Sequence, residues 1–225
     1  MTKSRVFAIT AAISWFAISL GFVLNVFDVY PESVIESYAY GDNPSGFAGV
    51  IGRTIDFFSY FTYVSNIVVA IVLTMLARNV KRKGAVFATL RMDSLVMISV
   101  TGLVYYLLLA ADANPQGLQI VSNALIHYII PALTIVIWLM IGPRGLFRLS
   151  TVLTALIIPV VWAVYAMIRG SVINAYPYGF LNAQELGLGT ALTNILGVAI
   201  LGVVLGLIYW IIDRLLSRPN GPADK

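Results

Sequence analysis

Apolar residues are concentrated in six long runs, approximately 6–27, 57–77, 92–111, 122–141, 151–168 and 190–212, with short polar segments between them. A helix that crosses the hydrocarbon core needs roughly 20 such residues, so each run predicts one transmembrane helix. Together they predict an all-α, integral membrane bundle of six transmembrane helices forming a single domain over residues 1–225. The first run begins like a signal peptide, with Lys3 and Arg5 ahead of it. It is long, however, and no small-residue cleavage site precedes Asp28 and Pro31, so an uncleaved span is expected.

If the helices alternate in direction, the basic residues separate by side. Lys3, Arg5, Arg78, Lys81, Arg82, Lys83, Arg91, Arg144, Arg148, Arg214, Arg218 and Lys225 fall on one side, and only Arg53 and Arg169 on the other. The positive-inside rule then puts both termini in the cytoplasm. The basic segment from Arg78 to Arg91 reads as a topology signal in contact with anionic lipid. The opposite side carries Asp28, Glu32, Glu36, Asp42, Asp56, Asp112 and Glu185, and its two longer loops contain Tyr30, Tyr38, Tyr40, Tyr176 and Tyr178. Tyrosines there are expected as interfacial belt residues. Residues 41–49, with three glycines and Pro44, predict a turn.

Composition narrows the function. The chain is 60% hydrophobic and 11% charged, with mean hydropathy +0.90, too apolar for a soluble domain and too poor in charge for a nucleic-acid reader. It has no cysteine, which excludes disulfides, thiol catalysis and thiolate metal sites, and a single histidine, which excludes bis-His haem and multi-His metal sites. No cofactor is expected, and the expected partners are membrane lipids. Asp56, Asp93 and Asp213 fall at predicted interfaces, which argues against a carboxylate proton relay at mid-membrane.

Polar residues within a bilayer are costly unless paired, so their depth carries information. Counting 1.5 Å per residue from Asp56, Thr62 lies about 9 Å down the second helix, and His127 about 9 Å down the fourth when counted from Val121. Ser65, Asn66, Tyr105, Tyr106, Asn123, Tyr165, Thr193 and Asn194 join that level. The other half looks dry, since residues 67–77 and 199–212 are almost wholly apolar. A polar layer over an apolar half predicts a pocket open toward the outer side or the outer lipid, and not a continuous pore. Residues at i, i+3 and i+4 share a helix face, so Thr62, Ser65 and Asn66 point together, as do Asn123, His127, Pro131 and Thr134. Ser65-Asn66, Ser122-Asn123 and Thr193-Asn194 recur near helix starts, where N-capping and interhelical hydrogen bonds are the expected roles for Ser122 and Thr190. Thr-x-x-Ser/Thr-Asn-Ile occurs twice, at 62–67 and 190–195, and could mark a hairpin repeat.

Nucleophilic catalysis needs a hydroxyl, a base within hydrogen-bond reach and donors for an oxyanion. Thr62, a neutral His127 and the amides of Asn66 or Asn123 could supply these. A histidine bonded for packing accounts for His127 equally well, and for Thr62 alone the ordinary occurrence of threonine in membrane helices is the stronger reading.

The segment Phe61-Thr62-Tyr63-Val64-Ser65-Asn66, with Asn123-Ala124-Leu125-Ile126-His127-Tyr128 and Pro131, resembles the androgen-induced-protein family of multi-span membrane proteins and its bacterial relatives. Tyr176-Pro177-Tyr178-Gly179-Phe180-Leu181-Asn182 is similar to the bacterial branch. That resemblance implies an intramembrane threonine hydrolase acting on fatty acid esters of hydroxy fatty acids or other lipid esters, with Thr62 as nucleophile and His127 as base. Ser65, Asn66, Tyr105, Tyr106, Asn123, Tyr165 and Asn194 are the expected substrate-binding or orienting residues from depth. The competing expectations are a non-enzymatic lipid or small-molecule binder or transporter, and a scaffold bundle held by its polar contacts.

Overall fold

The computed structural model describes residues 1–30 and 42–217. Pro31, Glu32, Glu36, Tyr38, Tyr40, Gly41, Arg218 and Lys225, each given a role above, lie outside the described residues. All regular structure among the described residues is helical, and six helices are long and apolar enough to cross a membrane. The first is α1 (Lys3–Val26), and a short α2 (Val50–Ser59) precedes α3 (Phe61–Arg78). α4 (Ala85–Val104) runs on into a π-helical turn at Tyr105–Leu109. The fourth long helix is composite: α5 (Leu118–Ala124), a π turn at Leu125–Ile129 and α6 (Ile130–Ile141). α7 (Leu149–Thr154) and α8 (Ile157–Ile173) make the fifth, and α10 (Leu188–Leu216), after the short α9 (Ala183–Leu186), the sixth.

Two apolar clusters hold the bundle. One joins α1, α3, α4 and α6 through Phe7, Val69, Leu73, Leu76 and Ile130, all with no exposed surface. The other joins α4, α6, α7 and α10 through Leu95, Val96, Trp138, Val152 and Tyr209. Close-packed interiors transmit small displacements, so these clusters fix how the helices carrying polar groups face one another. α8 reaches the first cluster through Ile158. It is tied to α2, where Trp162 Nε1 donates to the Ser59 carbonyl at 2.9 Å, Tyr165 Oη meets Ser59 Oγ at 2.7 Å, and Arg169 pairs with Asp56. Arg53 lies 3.9 Å from Asp28. Both arginines placed by sequence at the acidic end are therefore ion-paired there. Residues 41–49 contain the expected turn, seen as a 3₁₀ turn at Gly46–Gly49.

Four expectations need correction. The second span does not start at Phe57: the backbone turns extended at Tyr60, with ψ 130°, and Thr62 is only the second residue of α3. Ser122 and Thr190 are not N-caps, because α5 and α10 are capped by Gly117 and Gly187, with φ 49° and 78°. Arg91 is not in a basic loop but in the second turn of α4, fully buried. Nor is the end of the bundle that holds both termini dry. Arg91, Asp93, Ser94, Thr134 and Asp213 are all buried there or toward mid-helix, with Asp93 and Asp213 each 1% exposed and not at a surface. The apolar look came from α3 and α10 alone; α4 supplies Arg91, Asp93 and Ser94. Asp213 accepts from the Gly145 and Phe147 N–H groups at 3.1 and 3.0 Å, tying α10 to the loop before α7.

Candidate active site

The break at Tyr60 leaves the first turn of α3 with backbone N–H groups that have no helical partner. The Thr62 N–H donates instead to Tyr178 Oη at 3.2 Å, and the Thr62 Oγ1 lies 3.2 Å from the same hydroxyl. On its other side, Thr62 Oγ1 is 3.4 Å from His127 Nε2, at the long end of hydrogen bonding. The two residues that depth and resemblance selected are thus neighbours, although the depth count from Asp56 ran through a helix that is interrupted.

His127 is held by its other nitrogen. Asn123 Nδ2 donates to Tyr105 Oη at 2.6 Å, which leaves Asn123 Oδ1 as the acceptor 2.7 Å from His127 Nδ1. That assignment places the proton on Nδ1 and the lone pair on Nε2, facing Thr62. The Tyr105 ring stacks on the imidazole at 3.7 Å and 10°, so rotation of the ring is blocked as well. The result is a chain from Tyr105 through Asn123 and His127 to Thr62.

Both partners in the stack sit on π turns, Tyr105 at the start of one and His127 in the middle of the other. Pro131 has no N–H to donate to the His127 carbonyl four residues back, and this frees the widened turn before it. Gly102 of α4 packs against that level: a Cβ there would stand in ordinary contact, 3.4 Å from both the His127 carbonyl oxygen and Pro131 Cβ. Neither π turn is visible in hydrophobic periodicity.

The remaining candidates divide. Ser65 Oγ donates to the Thr62 carbonyl at 2.9 Å and meets Thr101 Oγ1 at 2.7 Å, one turn below Thr62. Asn66 Nδ2 donates to the carbonyls of Thr62 and Ile126 at 2.7 and 3.3 Å, so its amide is committed to holding α3 against the π turn and is not an oxyanion donor. Asn123 likewise acts on His127 and not on the space beside Thr62. Tyr106 is 68% exposed on the outer face of the bundle, and Tyr165 bonds Ser59, so both stand outside the site. Asn194 reaches it indirectly, through its 2.8 Å bond to the Phe180 carbonyl in the segment that carries Tyr178. Thr193 is exposed and bonds back to Gly189 in its own helix. Thr190, its counterpart to Thr62 in the repeated motif, is also exposed, so the two copies do not share a role.

Tyr178 is the residue that sequence reasoning assigned to an interfacial belt. It packs among aromatic rings, stacked on Phe180 at 5.4 Å and edge-on to Tyr60 at 5.8 Å. Its neighbour Tyr176 is buried against Gly170, where a Cβ would lie 2.3 Å from the ring. The aromatic segment therefore folds in over the end of α3, and the only signal for this was its density of Tyr, Pro and Gly.

Thr62 and Tyr178 open onto a cleft between α4, α8 and α10, with about 930 Å³ of empty space counted out to its mouth. Apart from Thr62, Thr101, Tyr105, Tyr178 and Trp162, its lining side chains are hydrocarbon, Met97 or glycine. His127 is not on the cleft wall; it lies behind Tyr105 and meets the space only at Thr62. No group of His, Asp and Glu able to hold a metal ion occurs among the described residues. Compared with family models, curated proteins and solved structures, the chain matches none.

Proposed function

We propose that this protein is an intramembrane hydrolase of lipid esters, in which Thr62 is the nucleophile and His127 the base. The observation that carries the reading is the oriented chain from Tyr105 through Asn123 and His127 to Thr62, ending at the polar mouth of an apolar cleft. A hydroxyl is a weak nucleophile until a base takes its proton, and a base is effective when a third group holds its tautomer. In the first step Thr62 Oγ1 attacks the ester carbonyl carbon as its proton passes to His127 Nε2. The carbon–oxygen ester bond then breaks, and the leaving alcohol takes that proton. Water, deprotonated by His127, attacks the acyl-threonine and releases the acid, restoring Thr62. The Thr62 N–H and the Tyr178 hydroxyl, which now bond each other, are the donors aimed at the oxyanion.

The almost wholly apolar lining of the cleft between α4, α8 and α10 supports access from the lipid, with both hydrocarbon arms of the substrate kept out of water. The distribution of Lys and Arg supports a bilayer orientation with both termini in the cytoplasm, and the resemblance to the bacterial branch implies a bacterial plasma membrane. Fatty acid esters of hydroxy fatty acids are the substrate class that the family resemblance implies.

A lipid binder without turnover is the second reading, favoured by the 3.4 Å separation and by the Tyr178 hydroxyl lying on Thr62. Purified protein in detergent, incubated with a panel of lipid esters, separates the two. The hydrolase reading expects product from wild type and none from folded Thr62→Ala or His127→Ala. Saturable binding of the esters with no product favours the binder.

A further inference from the structure

The cleft has a closed inner end whose distance from Thr62 defines a length. Ser65 Oγ meets Thr101 Oγ1 at 2.7 Å, so these residues mark one level on α3 and α4. Thr62 lies three residues to one side of that level and Val96 five residues to the other. At 1.5 Å per residue, the cleft extends about 12 Å from Thr62 to the level of Val96. There Val96, Leu156 and Gly202 meet: a Cβ on Gly202 would stand 3.7 Å from Val96 Cγ1 and 3.9 Å from Leu156 Cδ2. One turn farther along α10 the space is gone, since a Cβ on Gly206 would come within 2.9 Å of Val152 Cγ1. Between the level of Thr62 and this floor, the polar side-chain groups on the wall are already bonded, the Thr101 hydroxyl to Ser65 and the Trp162 indole N–H to the Ser59 carbonyl.

We propose that Gly202, with Val96 and Leu156, is the chain-length determinant of this site, limiting the acyl arm of the ester to a single unsubstituted hydrocarbon chain of roughly ten carbons. The inference rests on the hydrolase reading and names its substrate class. A hydroxyl or carboxylate on the buried arm would find no partner below Thr101 and would be costly there. Polar substituents therefore belong on the alcohol arm, which leaves by the mouth of the cleft. Glycine at 202 supplies the last increment of depth, because any side chain would point at Val96 and Leu156 and occupy the space of the terminal carbons.

The test is a set of 4-nitrophenyl esters with saturated acyl chains of increasing length, from about six to about sixteen carbons, spanning the limit set by helix rise. For the wild type, kcat/KM should fall steeply beyond the limit. One methylene too many in a closed pocket costs about tenfold or more, so Gly202→Leu should cut turnover of the longest accepted ester by at least about that factor while the shortest changes about twofold. Gly202→Ala fits the space observed and should move the limit by about one carbon in the same direction. Leu156→Ala should move it the other way. Gly197→Leu is the control on the same helix, because residue 197 is exposed with nothing within 4 Å of a Cβ, and its profile should match wild type. A profile that Gly202→Leu and Gly202→Ala only scale, or leave unchanged, overturns the assignment. The same variants are titrated with free saturated fatty acids, read by the shift in thermal midpoint. If no ester is cleaved but the length limit for these acids still moves with residue 202, the hydrolase reading fails and the length determinant stands. If no length limit appears in either measurement, the determinant is refuted.

Discussion

Asn123 touches neither the cleft nor Thr62, yet the account makes turnover depend on it. Its Oδ1 holds the His127 Nδ1 proton at 2.7 Å and its Nδ2 donates to Tyr105 Oη at 2.6 Å. Asn123→Leu removes both bonds while keeping the branched shape and the number of side-chain heavy atoms of asparagine. Each buried hydrogen bond contributes about 1 to 1.5 kcal/mol, so about 2 to 3 kcal/mol of orientation is lost. If that loss falls on the transition state, kcat drops by about 30- to 150-fold. KM should stay within about threefold, because the residue lines no part of the substrate space. Asn123→Asp keeps an acceptor at Nδ1 and can accept from the Tyr105 hydroxyl, so it should retain most of the activity. The assay is steady-state hydrolysis of a medium-chain ester by detergent-purified variants, with folding checked by thermal unfolding. A folded Asn123→Leu protein with kcat within threefold of wild type would refute the orientation argument, as would equal losses in the Leu and Asp variants.

Other consequences follow from the same geometry. Tyr178→Phe removes the hydroxyl that meets both Thr62 atoms, and loss of one oxyanion donor should lower kcat by about 10² to 10³ with chain-length preference unchanged; an unchanged kcat would leave Tyr178 a packing residue. Gly102→Ala would set its Cβ 3.4 Å from the His127 carbonyl oxygen and Pro131 Cβ, an ordinary contact, so activity and thermal midpoint should both stay within about twofold and about two degrees of wild type, and a large loss of either would refute that fit. Arg91 is wholly buried with Nε and Nη2 unbonded among the described residues and only a 3.4 Å contact to Ser94 Oγ. Arg91→Met should therefore be neutral or stabilising by about 1 to 4 kcal/mol, read as the unfolding midpoint, whereas a large loss would mean that the guanidinium has a partner.

The six long helices were legible because apolar length is a signal carried by each segment alone. The pairing of Thr62 with His127 was legible more narrowly, from two polar residues at matched counts and from short motifs. Interruptions of the helices were not. Tyr60 has no Pro or Gly beside it to announce an extended backbone, and the break there is secured by contacts from Trp162 and Tyr165 more than a hundred residues away. The π turns depend on Pro131 and on the packing at Gly102, which are tertiary relations. Arg91 misled because a charge near a basic loop reads as part of it, while only packing of α4 against its neighbours decides that it is inside. Tyr178 was hidden by its residue type: tyrosine near a membrane surface is ordinarily a belt residue, and nothing local distinguishes one folded back over a helix terminus. The exposure of Tyr106 beside the buried Tyr105 shows the same limit, since adjacent aromatics in one helix face opposite surroundings.

The central claim is that Thr62 is a nucleophile activated by His127. An alkyl fluorophosphonate reacts with an activated hydroxyl and remains on it, so labelling purified protein and mapping the adduct by mass spectrometry addresses the claim without knowledge of the natural ester. The account predicts one adduct on Thr62, absent from Thr62→Ala and strongly slowed in folded His127→Ala. Labelling elsewhere with Thr62 untouched, or ester turnover by a folded Thr62→Ala protein, would contradict it.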